Sequence, residues 1–284
     1  MATAIDSMRW RSTWNWRLWI GGGTLAFIAL VALAASWLAP HDPWALLGPP
    51  LAPPGGEFRL GTDMLGRDLL SGLIHGARVS LLIGLASSAC ALLIGITLGA
   101  MAGYFGGAVD RGLMRLTEFF QVIPAFLFAI LLVAIMRPGL KSVIVAVALV
   151  TWPPVARLMR SEFLSLRSRE FVEAARALGL GHRQIILREI LPNALPPVIA
   201  VGSLMVATAI LTEASLSFLG LADPNLISWG YIIGSSRPVF REAWWLSVLP
   251  GLCLFVTVLS INLVADGLGD SRNPLLRARR GAPT

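Results

Sequence analysis

The chain has 284 residues, of which 56% are hydrophobic and only 14% charged, and its mean hydropathy is +0.73. A soluble domain is about half apolar and a quarter charged, so the composition excludes a soluble protein, and five or six membrane spans of about 20 residues leave no room for a large extramembrane domain. The formal charge of +7 fits arginine-rich loops at a membrane surface and argues against a nucleic-acid partner.

In chain order, Arg9, Arg11 and Arg17 precede an apolar run from Leu18 to Ala39. A signal-peptide core spans about 7 to 15 residues, and this run is longer. It predicts a retained first transmembrane helix over 18–39, after a cytoplasmic N-terminus over 1–17. Residues 40–78 read as an extracytoplasmic segment, loop-like through Pro40, Pro43, Pro49, Pro50, Pro53 and Pro54. Its character changes at Gly61-Thr62-Asp63-Met64-Leu65-Gly66-Arg67-Asp68, where Thr62 or Asp63 is placed to cap a short helix leading into the second span. Further apolar runs place spans near 79–102, 116–136, 142–160, 196–218 and 244–265, six helices in all, in lipid contact. Gly84, Gly95, Gly99 and Gly103 predict close backbone approach along the second span and a place for it inside the bundle. Cys90 and Cys253 lie in apolar runs, where a thiol acts as a small hydrophobe.

Lysine and arginine counts set the orientation. The N-terminus, the 103–118 loop, the 157–195 segment and the C-terminus hold sixteen of the 23 such residues. Both termini, including a tail over 269–284, and the 161–195 loop are therefore expected on the cytoplasmic side.

That loop is polar yet helical in pattern. Phe171, Ala174, Ala175 and Leu178 recur at i, i+3, i+4 and i+7. Ser168 is placed as an N-cap and Gly179 as the left-handed residue that ends the helix. A second short helix is expected from about His182 to Ile190, with Ile186 and Ile190 four apart and Pro192 preventing continuation. Such a helix-turn-helix lies either on lipid headgroups or against a partner; tethered between spans, it cannot enter a DNA major groove. Ionisable residues within the spans are few, which argues against a proton relay. Glu213 and Asn262 either line a pathway or bond a neighbouring helix. The sole lysine, Lys141, follows Leu140, so the chain has no Gly-Lys-Ser/Thr phosphate loop.

Glu173-Ala174-Ala175, Gly179 and Leu191-Pro192 resemble the EAA loop of permease subunits of bacterial ABC importers. Gly61-Thr62-Asp63 with Gly66-Arg67-Asp68, Gly103-Tyr104-Phe105-Gly106-Gly107 with Asp110, Pro192-Asn193, Glu213 through Gly220, and Ser228-Trp229-Gly230 resemble the second permease of dipeptide, oligopeptide and nickel importers. The resemblance spans roughly 18 to 276. Two stretches depart from it: Gly220-Leu221-Ala222-Asp223-Pro224-Asn225 replaces Gly-Leu-Gly and a longer stretch, and Ala265-Asp266-Gly267-Leu268-Gly269-Asp270 with Asn273-Pro274 replaces Gly-Asp-Gly-Leu-Arg-Asp and Asp-Pro.

The resemblance implies an all-α type I permease fold with six transmembrane helices, its type-1 domain over 79–268, in the bacterial inner membrane. It implies that Glu173, Ala174, Ala175, Gly179, Leu191 and Pro192 couple the chain to two ATP-binding subunits, and that a homologous permease completes a heterodimer. ATP and Mg are then bound by the ATPase subunits and no cofactor by this chain. An extracytoplasmic binding protein delivers cargo, expected to be a di- or oligopeptide, with nickel or a metal chelate as the alternative; His41, His75 and His182 are dispersed. A secondary transporter would show a second half resembling the first, and no such repeat is visible.

Overall fold

The computed structural model describes residues 16–221 and 223–272. The N-terminal Arg9 and Arg11, Ala222, Asn273-Pro274 and the tail arginines Arg277, Arg279 and Arg280 lie outside the described residues. The elements are α1 (Trp16–Leu33), α2 (Ala35–Leu38), α3 (Leu69–Phe105), α4 (Gly107–Val122), α5 (Ala125–Met136), α6 (Leu140–Leu166), α7 (Glu170–Ala177), α8 (His182–Gln184), a π-helical segment (Ile185–Ile190), α9 (Leu191–Phe218), α10 (Trp229–Ser235), a 3-10 turn (Arg237–Val239) and α11 (Trp245–Arg272). Among the described residues the only strand-like pairings are two isolated bridges, Gly55 with Phe58 and Thr62 with Asp68.

Five helical stretches are long and apolar enough to cross a membrane: α1, α3, α6, the continuous run His182–Phe218, and α11. The sixth expected span, 116–136, is not one straight helix. α4 and α5 meet at an 87° bend. Pro124 is the reason: it takes ψ 120 and Ile123 before it ψ 129, the extended geometry that proline imposes on its predecessor.

The glycines of α3 explain the middle of the bundle. A Cβ at Gly95 would sit 2.6 Å from Val155 Cβ, at Gly99 2.4 Å from the Ala156 carbonyl oxygen, and at Gly103 2.5 Å from Phe163 Cβ. Spaced four apart, they form one seam into which α6 fits, a small-residue contact of the kind that drives helix association in lipid. Gly84 does the same toward Ile210 of α9. α1 packs on α11 through Gly21, whose Cβ would meet the Ser260 carbonyl oxygen at 2.7 Å, and most of its surface stays exposed.

The cap expected from Thr62 or Asp63 comes from Asp68, whose carboxylate accepts the Ser71 backbone N–H at 2.9 Å and its hydroxyl at 2.5 Å. Thr62 instead is buried, accepting from Ala52 N and donating to the Pro49 carbonyl, while Asp63 accepts from the N–H groups of Leu65 and Arg67. These bonds fold residues 49–68 into a compact cover over the start of α3.

Candidate functional site

Two clusters flank the bundle, one at each end of α3. The first is built on α7 and the turn after it. Ser168 does not cap α7: the N-cap is Arg169, with no side-chain bond, and the Ser168 hydroxyl turns back to the Ser165 carbonyl. The turn runs as expected through Gly179, at φ +78, and the Gly179 and Leu180 N–H groups close on the carbonyls of Arg176 and Ala175. Glu170 and Glu173 occupy the first turn and Arg176 the last, each where the helix dipole favours its charge.

The face that α7 buries differs from the stripe read in the sequence. Val172 and Ala175 are buried against the core, whereas Phe171 is 39% exposed and Leu178 82% exposed, with Glu173, Ala174 and Gly179 on the same open side. The offset is one residue, about 100° around the helix at 3.6 residues per turn. Val172 and Ala175 meet Phe163, Ile185 and Ile190, leaving an exposed apolar strip with no partner among the described residues.

The second helix of the motif does not stop at Pro192. Ile185–Ile190 is π-helical and runs straight into α9, with Pro192 as its second residue; local π-helical adjustment of this kind is how a proline is accommodated inside a continuous membrane helix. The buried pair is accordingly Ile185 and Ile190, five apart as in an i to i+5 helix, and not Ile186 and Ile190. Leu191 is half-buried and Pro192 exposed.

Residues that the sequence did not single out hold this motif to the bundle. The Tyr104 hydroxyl at the end of α3 lies 2.8 Å from His182 Nδ1, with the two rings edge to face. Arg167 donates to the carbonyls of Gly103 and Tyr104 at 3.2 and 3.3 Å. Arg160 forks onto Asp110 at the start of α4, Nε to Oδ1 and Nη2 to Oδ2, the latter at 2.6 Å, a charge-assisted bidentate pair. Tyr104 and Asp110 stand in the Gly103 to Asp110 block, but nothing in the spacing names their partners.

The second cluster lies where α9, α10 and α3 meet. Glu213 is 2% exposed; its Oε1 accepts the Ser217 and Ser228 hydroxyls, both at 2.7 Å, and its Oε2 is buried with no hydrogen-bond partner among the described residues. Ser228 in turn caps α10 by accepting the Tyr231 N–H. Trp229 ties α10 to α3, its indole N–H donating to the Leu73 carbonyl at 2.9 Å and its backbone N–H to the Ser80 hydroxyl. Asn262 is half-buried on α11 and belongs to neither cluster. In the divergent 220–225 stretch, Asp223 Oδ2 accepts the Leu140 N–H at 3.0 Å, closing the start of α6 from a distant part of the chain.

A family described as the binding-protein-dependent transport system inner membrane component matches residues 95–277. The di/tripeptide transport system permease protein DppC of Pseudomonas aeruginosa is 42% identical over 266 residues, covering 90% of this chain and 88% of its own. The glutathione transport system permease protein GsiD of Pectobacterium atrosepticum is 39% identical, covering 79% of this chain and 75% of its own. Among solved structures, the inward-facing MetNI methionine ABC transporter superposes with a TM-score of 0.56 at 18% identity, over 70% of this chain and 97% of its own. An amino acid ABC transporter does so at 0.55 and 17%, over 71% and 94%; both likenesses are of fold.

Proposed function

This chain belongs to the family of binding-protein-dependent transport system inner membrane components, and on that premise we propose that it is a peptide-importing permease subunit driven by ATPases on separate chains. It is a multi-pass inner-membrane protein of the ABC importer type. The observation that carries the coupling role is the strip on α7: Phe171, Ala174 and Leu178 face outward beside Glu173, at the end of a helix whose other face is locked into the core. A short helix that leaves its apolar strip bare is suited to a cleft in a partner, where Glu173 meets donors.

In this reading Glu173, Ala174 and Gly179 form the surface presented to an ATP-binding subunit, Ala175 is buried and seats α7 on the core instead of facing the partner, and Leu191 and Pro192 carry the displacement of α7 into α9. ATP and Mg sit on two such subunits. A homologous permease supplies the other half of the pathway, and a binding protein delivers cargo from outside. The arginine-rich segments support placing both termini and α7 on the cytoplasmic side. Cargo is a di- or oligopeptide, on the strength of relatives named for di/tripeptide and dipeptide transport.

Affinity purification of the tagged chain from membranes is expected to bring down two ATP-binding subunits and one homologous permease. Cells lacking the gene are expected to lose uptake of labelled di- to hexapeptides. Unchanged peptide uptake, or a chain that purifies as a transport-competent homodimer, overturns the corresponding part of the reading.

A further inference from the structure

Beside the start of α3 lies a cavity of about 250 Å³, enclosed by the 63–69 turn, the N-terminal part of α3, α10 and Leu246. Its walls are mostly apolar: Leu69, Ile227 and Ile232 are each nearly buried within it. Arg67 also lines it. The guanidinium of Arg67 stacks 4.7 Å over the Trp44 ring, and its Nε is buried with no hydrogen-bond partner among the described residues. A guanidinium is charged at every physiological pH and can only donate, so a buried unpaired N–H on it is costly until an acceptor arrives.

The carboxylates nearby are already engaged. Asp63 Oδ1 accepts two backbone N–H groups, and Asp68 accepts from Ser71 with His41 Nδ1 at 3.6 Å. Neither pairs with Arg67, yet both line the cavity and repel a bare anion. The ligand that suits an arginine with one unpartnered N–H, two carboxylates and apolar walls carries both charges and an apolar group.

We infer that this cavity is a subsite for the C-terminal residue of a short zwitterionic peptide, with its carboxylate on Arg67 and its apolar side chain against Leu69, Ile227 and Ile232. The free ammonium of the peptide then faces Asp63 and Asp68. The inference rests on the peptide reading above and adds that this subunit itself discriminates cargo. About 250 Å³ is below the 300–1,000 Å³ of drug-sized sites and accommodates a terminal residue in place of a whole oligopeptide.

The test is equilibrium binding of radiolabelled Ala-Leu and of Ala-Leu amide to the purified permease–ATPase complex in lipid nanodiscs, without binding protein. Wild type is expected to bind Ala-Leu at least tenfold more tightly than the amide, and Arg67→Gln to erase that difference. Gly72→Met is a second probe. A Cβ at Gly72 meets nothing nearer than Ile232 Cδ1 at 3.6 Å, so the backbone tolerates it and the side chain fills the cavity; both ligands should then be lost.

Equal binding of the two ligands to wild type, or wild-type binding by both variants, overturns the subsite. So does absent Ala-Leu binding with a weakened hold on loaded binding protein in Arg67→Gln, which assigns the cavity to a side chain of that protein. Ala-Leu uptake by intact cells is measured in parallel. Uptake that persists without binding to the complex defeats the subsite and spares the peptide reading, whereas absent uptake defeats both.

Discussion

Gly179 shows how a single residue sets a local cost without touching anything. Nothing lies within 4 Å of where its Cβ would be, so the only obstacle to substitution is its φ of +78. An L-residue in that region costs roughly 1–2 kcal/mol, and the strain is confined to the turn after α7. Gly179→Val is therefore expected to insert at normal abundance yet reduce ATP hydrolysis stimulated by loaded binding protein, and Glu173→Arg to do the same by reversing a charge on the exposed strip. Reconstituted complexes of equal subunit content measure it; wild-type stimulation in both variants would reduce α7 to a passive loop. Glu213 is the opposite case, a residue whose partners define it. Removing its side chain strands the Ser217 and Ser228 hydroxyls, each at about 1–3 kcal/mol. Glu213→Ala should lower the Tm of the purified protein clearly, and Glu213→Gln, which keeps the accepting oxygen, should lower it less. Lost transport at an unchanged Tm would place Glu213 in the pathway instead.

At the scale of elements, α4 stands between two backbone breaks. Gly106 and Gly107 have φ of +64 and +56 on one side, and the Pro124 elbow lies on the other. The Asp110–Arg160 pair ties it to α6, with side chains 17% and 33% exposed. Solvent screening holds such a pair to about 1 kcal/mol. A double-mutant cycle with Asp110→Ala and Arg160→Ala is expected to show coupling of that size in the denaturation midpoint; strictly additive effects would mean that the pair does not hold α4.

The same elements show what was legible in the sequence. Crossing lipid demands a long apolar run, so the spans stood out, and the α3 glycines announced their close contacts. Helix ends were less visible: α3 begins at Leu69 rather than 79 because Ser71, His75 and Arg78 lie in helical turns whose polarity reads as loop. The elbow was signalled by Pro124 but masked by the apolar residues on both sides of it. The buried face of α7 depended on Val172 meeting Ile185 and Ile190, and the π-helical turn that sets their spacing has no sequence signature. The partners of Arg160 and Arg167 come from 50 and 64 residues away, a distance over which one sequence carries no pairing information.

At the scale of the whole molecule, α3 and α6 meet closely along the glycine seam, and this contact is expected to carry much of the bundle's stability. Gly99→Val brings a branched side chain against the Ala156 carbonyl oxygen, where even a Cβ would be at 2.4 Å; two helix backbones must then part. The variant is expected to be depleted from membranes and to elute as aggregate in detergent. Gly22→Val, on the open side of α1 with nothing within 4 Å, should behave as wild type. Equal abundance of the two would show that the seam is not where the bundle is held.

α3 is an unbroken helix of 37 residues, about 55 Å long at 1.5 Å per residue, against a hydrocarbon layer of about 30 Å. One tip lies beside Arg67 and the other bonds His182. Pinned to α6 at Gly95, Gly99 and Gly103 and to α9 at Gly84, the helix joins the two clusters as one strut, with no joint between them.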